Sequence, residues 1–192
     1  MQKRRNLKRK NNVKNKSFLP TETRSEGLKT LDSEGEEDKS SACMIQQIEH
    51  TQHNQAQDIR RVFQVSYKIE AELLGATNFP PLSRPIEDFY NCPNDFVGYY
   101  EEHQLVAVVE MKNEASSMHI QSLVVDPAYF RRGIARKLIE FVLEHYAITQ
   151  FTVETGRDNG PARKLYEGFG FVLEKTYTAA ENITKVRYQI KL

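Results

Sequence analysis

The chain has no tryptophan, two cysteines in 192 residues, and no apolar run near the ~18 residues that a membrane-spanning helix needs. That last absence argues against a helical membrane protein, and no apolar stretch near the N-terminus reads as a secretory leader. Cys43 and Cys92 form neither a metal-ligand spacing nor a disulfide framework, so a reducing, cytoplasmic setting is the default. The five histidines (His50, His53, His103, His119 and His145) include no HExxH pair. His50 and His53 are close, but they sit in a polar stretch without a carboxylate or cysteine cluster, and no metal site is expected. An excess of one charge is missing too: 27 Lys and Arg face 26 Asp and Glu, for a net charge of +1. A globally basic nucleic-acid surface is therefore not expected.

What is present is unevenly spread. Residues 2–16 carry only basic charges, and the stretch from Glu22 to Asp38 is mainly acidic. Up to residue 43 the apolar residues Leu7, Val13, Phe18, Leu19, Leu28 and Leu31 are isolated, too few to offset the entropy of ordering the segment. Residues 1–43 are expected to be a disordered charged extension and 44–192 a single domain. The basic run reads as a solvated tail; an arm for nucleic acid or an anionic surface is the alternative. A start of the native protein at Met44 is a third reading of the same boundary.

From Met44 the chain alternates. The pattern predicts a strand over 44–50 and a helix from an Asp58 N-cap to Gly75, with Ile59, Val62, Phe63, Ile69 and Leu73 on its apolar face. Four prolines between Asn78 and Asn94 break the next segment into a loop and a short helix around 86–90. Strands at 96–101 and 105–111 form a hairpin, and a third strand covers 118–125. A helix over 133–146, a strand over 151–155, a helix over 161–167 and strands at 171–177 and 184–192 complete the order β-α-α-β-β-β-α-β-α-β-β. This is an α/β mixed sheet with helices on both faces.

Two segments carry chemistry. The first runs from His119 to Arg136: a strand ends at Asp126-Pro127, a basic turn follows, and a helix opens at Gly133. The leading N–H groups of a helix lack intrahelical partners and lie at the positive end of its dipole, so they suit a pyrophosphate. Gly133 and Ala135 keep side chains clear of such an anion, and Arg131, Arg132 and Arg136 attract it. No Walker lysine and no three-glycine dinucleotide spacing is present. The second segment runs from Val153 to Phe171. There Asn159 precedes Pro161 as a helix cap, and Tyr166 follows on that helix.

The first segment resembles the acyl-CoA-binding motif of the GNAT acetyltransferases, Q/R-x-x-G-x-G/A, with Gly133 and Ala135 in place and Phe130 departing at the leading slot. The second is similar to the family's signature N-x-x-A-x-x-L-Y-x-x-x-G-F at Asn159, Ala162, Leu165, Tyr166, Gly170 and Phe171. The resemblance implies the GNAT-like acyl-CoA N-acyltransferase fold over Met44 to Leu192. It implies acetyl-CoA as co-substrate and no metal. By the same resemblance the backbone at Leu123, Val124 and Val125 pairs with the pantetheine arm. The turn Arg131, Arg132, Gly133, Ile134, Ala135, Arg136 takes the pyrophosphate, and Asn159 contacts the cofactor.

Acetyl transfer to an amine needs an acid for the departing thiolate and a base for the ammonium. A phenol of pKa ~10 beside a thiol of ~8.5 can donate that proton, which assigns Tyr166, with a core aromatic as its structural alternative. Glu154 is the first candidate base, at the position matching a glutamate in enzymes similar to the ribosomal-protein alanine N-acetyltransferases. Glu110 and a water chain are the others. Cys92 lacks a histidine neighbour and is not a nucleophile candidate. The resemblance places the acceptor in a groove near Phe79, Phe89, Tyr90, Tyr177 and the 178–184 turn. The expected acceptor is a small-molecule amine or a protein N-terminus, taken up by a monomer or homodimer. A non-catalytic acyl-CoA-binding module is the alternative.

Overall fold

The computed structural model describes residues 43–179 and 183–192. The expected charged extension lies outside these residues apart from Cys43, and so do residues 180–182. The elements are β1 (Cys43–Gln47), α1 (His53–Leu74), α2 (Glu87–Tyr90), β2 (Asp95–Glu101), β3 (Gln104–Glu114) and β4 (Ser117–Val125). They continue with α3 (Ile134–His145), β5 (Gln150–Gly156), α4 (Gly160–Gly168), β6 (Val172–Thr178) and β7 (Thr184–Lys191). The order is the one the sequence predicts, with short 3-10 turns added at Pro80–Ser83 and Pro127–Tyr129.

One seven-stranded sheet runs β1-β2-β3-β4-β5-β7-β6. Every neighbouring pair is antiparallel except β4 with β5, which are joined by the crossover through α3. The β2–β3 hairpin turns through Glu102 and His103, both at positive φ, which matches the twist of the strands without a glycine. Two apolar clusters cover the two faces. Ile59, Val62, Phe63 and Tyr67 of α1 and Phe89 of α2 pack on Leu105, Val108 and Val124. On the other face Ile134, Leu138, Ile139 and Val142 of α3 and Tyr166 of α4 pack on Val106, Val109, Ile120 and Val153.

Helix α1 departs from the sequence reading at its start. Asp58 is not the N-cap: the helix begins at His53 after Gln52, whose backbone is extended and whose side chain makes no capping bond. The buried face is Ala56, Ile59, Val62, Phe63, Tyr67 and Ala71, while Ile69 and Leu73 are exposed. Tyr67 and Ala71 continue the 3.6-residue stripe from Phe63, and Ile69 and Leu73 fall off it. The C-terminal end matches expectation: Gly75 closes α1 in the left-handed conformation.

Candidate active site

The site is set by a failure of strand pairing. β4 and β5 pair only at Met118–Phe151, His119–Thr152 and Ile120–Val153. Both strands run on, β4 to Val125 and β5 to Gly156, so their facing edges part beyond Ile120. A bulge in β4 accompanies the parting: Glu110 pairs with Ser122 and Met111 with Ile120, which leaves Gln121 as the extra residue. Leu123, Val124 and Val125 lie on the parted stretch. A cleft of about 850 Å3 opens there, reached by Ser122 and Leu123, by Glu154, Thr155 and Gly156, and by Asn159 and Tyr166. Its other wall comes from Tyr67 and Glu70 of α1 and from the proline-rich loop.

Helix α4 enters the cleft by its N-terminus. Asn159 caps it, its Oδ1 accepting from the Ala162 N–H at 3.2 Å, with Pro161 in the first turn where a missing N–H costs nothing. The same side chain donates from Nδ2 to Glu70 Oε1 at 3.2 Å, which ties α4 to α1. Tyr166 is buried against Phe171 and Tyr188. Its hydroxyl makes no hydrogen bond to a described residue, and the residue lines the cleft. Burial, reinforced by the charges of Glu70 and Tyr67, pushes its phenol well above the ordinary value, so it stays protonated.

At the end of β4, Asp126 accepts from the Ala128 N–H and pairs with Arg61 of α1 at 3.1 Å, which holds the turn against the sheet. Gly133 then caps α3 at φ 75°, with nothing within 4 Å of where a Cβ would stand. The first intrahelical bond is Lys137 N–H to Gly133 C=O. The N–H groups of Ile134, Ala135 and Arg136 precede it and are the helix's unpartnered donors.

Comparison with known proteins settles the family. Residues 82–192 match the family model described as the acetyltransferase (GNAT) domain. The chain belongs to the GNAT acetyltransferase family. The GNAT fold is also that of the ribosomal-protein-S18-alanine N-acetyltransferase from Escherichia coli, with a TM-score of 0.61 at 16% identity over 78% of this chain and 94% of the other. The PaiA N-acetyltransferase from Thermoplasma acidophilum, determined with coenzyme A, gives a TM-score of 0.60 at 17% identity over 79% of this chain and 99% of that one. In sequence, the chain is 31% identical over 141 residues to the UPF0157 protein YqkA of Bacillus subtilis, covering 73% of this chain and 41% of that protein. The chain thus spans about two fifths of the length of that relative.

Within the GNAT frame the expected residues separate. Of the three arginines at the turn, Arg132 pairs with Glu101 at 2.7 Å and lies over Tyr129. Arg136 pairs with Glu140 at 3.6 Å and stacks on Phe169. Arg131, at φ 65°, has no ion pair among the described residues. Phe130, out of the family pattern, is 42% exposed. Of the aromatics expected along the acceptor groove, only Phe79 lines the cleft. Phe89 is fully buried beneath the Arg84 guanidinium and belongs to the core. Tyr90 packs against His53, and Tyr177 points its hydroxyl at Glu154.

Both candidate bases are engaged. Glu154 accepts from Tyr177 at 2.6 Å and from Arg187 at 3.1 Å. Burial alone raises its pKa, but these two bonds and the nearby charges outweigh it and hold the carboxyl below its ordinary value. Glu110 is 1% exposed and receives both Arg84 nitrogens, at 2.8 and 3.2 Å, and Asn94 at 2.7 Å. Cys92 donates to the Phe89 carbonyl, and burial pushes its thiol up, away from the reactive thiolate. Among the described residues no group of three or more His, Cys, Asp or Glu side chains could hold a metal ion, and no helix is long and apolar enough to cross a membrane.

Sequence reasoning missed Tyr67, Glu70, Arg84 and Lys185, all of which line the cleft. Tyr67 donates to Ser122 Oγ at 2.8 Å. The signal for Tyr67 was its place four residues after Phe63 on the buried stripe of α1, whereas nothing local marks Glu70. Arg84 and Lys185 sit in loop or strand context with no pattern that marks them.

Proposed function

We propose that the protein moves the acetyl group of acetyl-CoA to a primary amine by direct attack in a ternary complex, the acceptor being a small-molecule amine or a protein N-terminus. The observation that carries this reading is the parting of β4 and β5 with Asn159 and Tyr166 at its mouth, beside a cleft walled by a second set of side chains. The residues fit the donor. The unpaired edge at Leu123, Val124 and Val125 offers backbone groups for a pantetheine amide. The N–H groups of Ile134, Ala135 and Arg136, approached over the bare Gly133, offer a pyrophosphate site, with Arg131 the nearby cation that has no ion pair among the described residues. Acetyl-CoA supplies an activated carbonyl and a thiolate leaving group.

The chain's residues then divide the remaining tasks. Asn159 fixes the start of α4 and so the position of Tyr166. Tyr166, kept protonated, donates a hydrogen bond to the sulfur and gives up its proton as thiolate charge develops there. Glu154, kept ionised by Arg187 and Tyr177, attracts an ammonium into the cleft. The test is release of free thiol from acetyl-CoA against a panel of polyamines, amino acids, aminoglycosides and N-terminal peptides. Turnover with at least one amine, with the acetylated amine found by mass spectrometry, supports the reading. Tight acetyl-CoA binding with no turnover on any acceptor leaves a non-catalytic acyl-CoA-binding module in its place.

A further inference from the structure

Among the described residues, three glutamates line the cleft: Glu70, Glu110 and Glu154. Amine acetylation needs a proton acceptor, because a primary ammonium keeps its proton near neutral pH. Two of the three carry an arginine. Glu110 is clasped by Arg84 and Asn94, and Glu154 by Arg187 and Tyr177. Both oxygens of each are thereby occupied, and the Tyr177 and Arg187 bonds hold the Glu154 carboxyl below its ordinary value, which makes it a weak base. Glu70 differs. Its Oε1 accepts from Asn159 Nδ2, it has no arginine partner, and its Oε2 makes no hydrogen bond to a described residue. Tyr67, one turn away on α1, spends its hydroxyl on Ser122 instead.

We propose that Glu70 is the catalytic base: the bond from Asn159 sets its carboxylate beside Tyr166 at the parting of β4 and β5, with an oxygen left open to the cleft. The assignment rests on the amine-acetylation reading above. Burial raises the Glu70 carboxyl above its ordinary range, opposed by the Asn159 bond and by the charge of Lys185 from β7. Among the described residues, Tyr67 on its own helix and Tyr166 on α4 are the other titratable groups facing it, and burial keeps both neutral at working pH. In the step itself the ammonium gives one proton to Glu70. The freed nitrogen lone pair forms the N–C bond as the C–S bond breaks, and the sulfur takes the Tyr166 proton. The second proton lost from nitrogen restores Tyr166, and Glu70 returns its proton to solvent. Glu154, the base that the family resemblance implies, is then the anion that holds the ammonium.

Glu70→Gln keeps the oxygen that Asn159 bonds, so the tie between α1 and α4 survives. The assay pairs the most active primary amine of the panel with hydroxylamine, an amine already unprotonated at neutral pH. Removing a general base predicts a fall in kcat/KM of about 100-fold on the primary amine. The same variant changes little, within about threefold, on hydroxylamine, where no proton has to be removed before attack. Coenzyme A affinity, read by calorimetry, stays that of the wild type. The wild-type rate falls as pH drops through the Glu70 pKa, because the base must be ionised, and the variant loses that limb. Equal losses on both amines, or an unchanged rate on the primary amine, overturn the assignment. So does a Glu154→Gln variant that alone removes the acid limb. Wild-type inactivity on every amine, hydroxylamine included, overturns the acetylation reading itself, a result separable from failure of Glu70 alone.

Discussion

The two walls of the cleft rest on different physics. The wall proposed for the donor is backbone: parted strand edges at 121–123 and 154–156, with the unpartnered N–H groups that open α3 beyond them. Its side chains matter mainly where they permit a backbone conformation, as with Gly133, or cap one, as with Asn159. The wall proposed for the acceptor is made of side chains gathered from far apart. Arg84 reaches Glu110 from the proline-rich loop, and Arg187 of β7 gathers Glu114, Glu154 and Glu174 from three other strands. A backbone site is constrained at a few fixed spacings, whereas a side-chain site can be assembled from many combinations. The first wall can therefore persist while the second changes with the acceptor.

The contrast breaks most visibly at Arg84. Arg84→Met strips the buried Glu110 of its counter-charge and leaves Asn94 as its polar partner among the described residues. Removing one member of a buried pair costs about 3–5 kcal/mol, read as a shift in urea denaturation. Adding Glu110→Gln to the same chain should recover part of that loss. A single-variant loss below about 1 kcal/mol would mean that the acceptor wall does not depend on this pair. Next in size is Tyr166→Phe, which removes the proton source proposed for the departing thiolate. We expect kcat to fall about 100-fold with coenzyme A affinity unchanged. Because the ring packs on Phe171 and Tyr188 and phenylalanine keeps that packing, stability should hold.

How much could be read from the chain follows the same division. The element order was legible throughout, because apolar periodicity and the Gly and Pro breaks mark each strand and helix. The Gly133 turn and the Asn159–Phe171 segment were legible because each encodes a backbone geometry at fixed spacing. The start of α1 was not: no side chain caps it, so Asp58, a capping-type residue inside the helix, drew the boundary too late. Ile69 and Leu73 misled for a related reason, being apolar but off the stripe that faces the sheet. Glu70 was hidden because its neighbours Asn159 and Tyr166 are far along the chain, and nothing local separates it from a solvent-facing helix carboxylate. Phe89 looked like a groove aromatic because its loop is irregular, yet the fold buries it as the platform under Arg84.

A smaller effect probes the donor turn alone. Gly133 holds φ 75°, a conformation that costs a residue with a Cβ about 1–2 kcal/mol, and no neighbour would clash with an alanine there. Gly133→Ala should therefore leave the rest of the fold intact and weaken coenzyme A binding about tenfold, by strain and by crowding the approach to the α3 N–H groups. A change in acceptor KM with no change in coenzyme A affinity would contradict the separation of the two walls.

The smallest effect lies where the walls meet, in the opposed titrations of Glu154 and Glu70. Glu154 sits below its ordinary pKa in the fold, so its contribution to stability is present above the unfolded value and fades as pH falls through the folded one. Glu70 sits above its ordinary pKa, so its contribution is present below the unfolded value and is lost as pH rises through the folded one. Glutamine substitution should thus act with opposite sign. Glu154→Gln should destabilise at pH 7 and less so at pH 4. Glu70→Gln should be neutral or slightly stabilising at pH 7, an advantage that shrinks toward pH 4. Urea midpoints at the two pH values check both. If the two variants moved together, the carboxylates would share one environment, and arginine pairing would no longer separate the carboxylate that binds from the one that takes the proton.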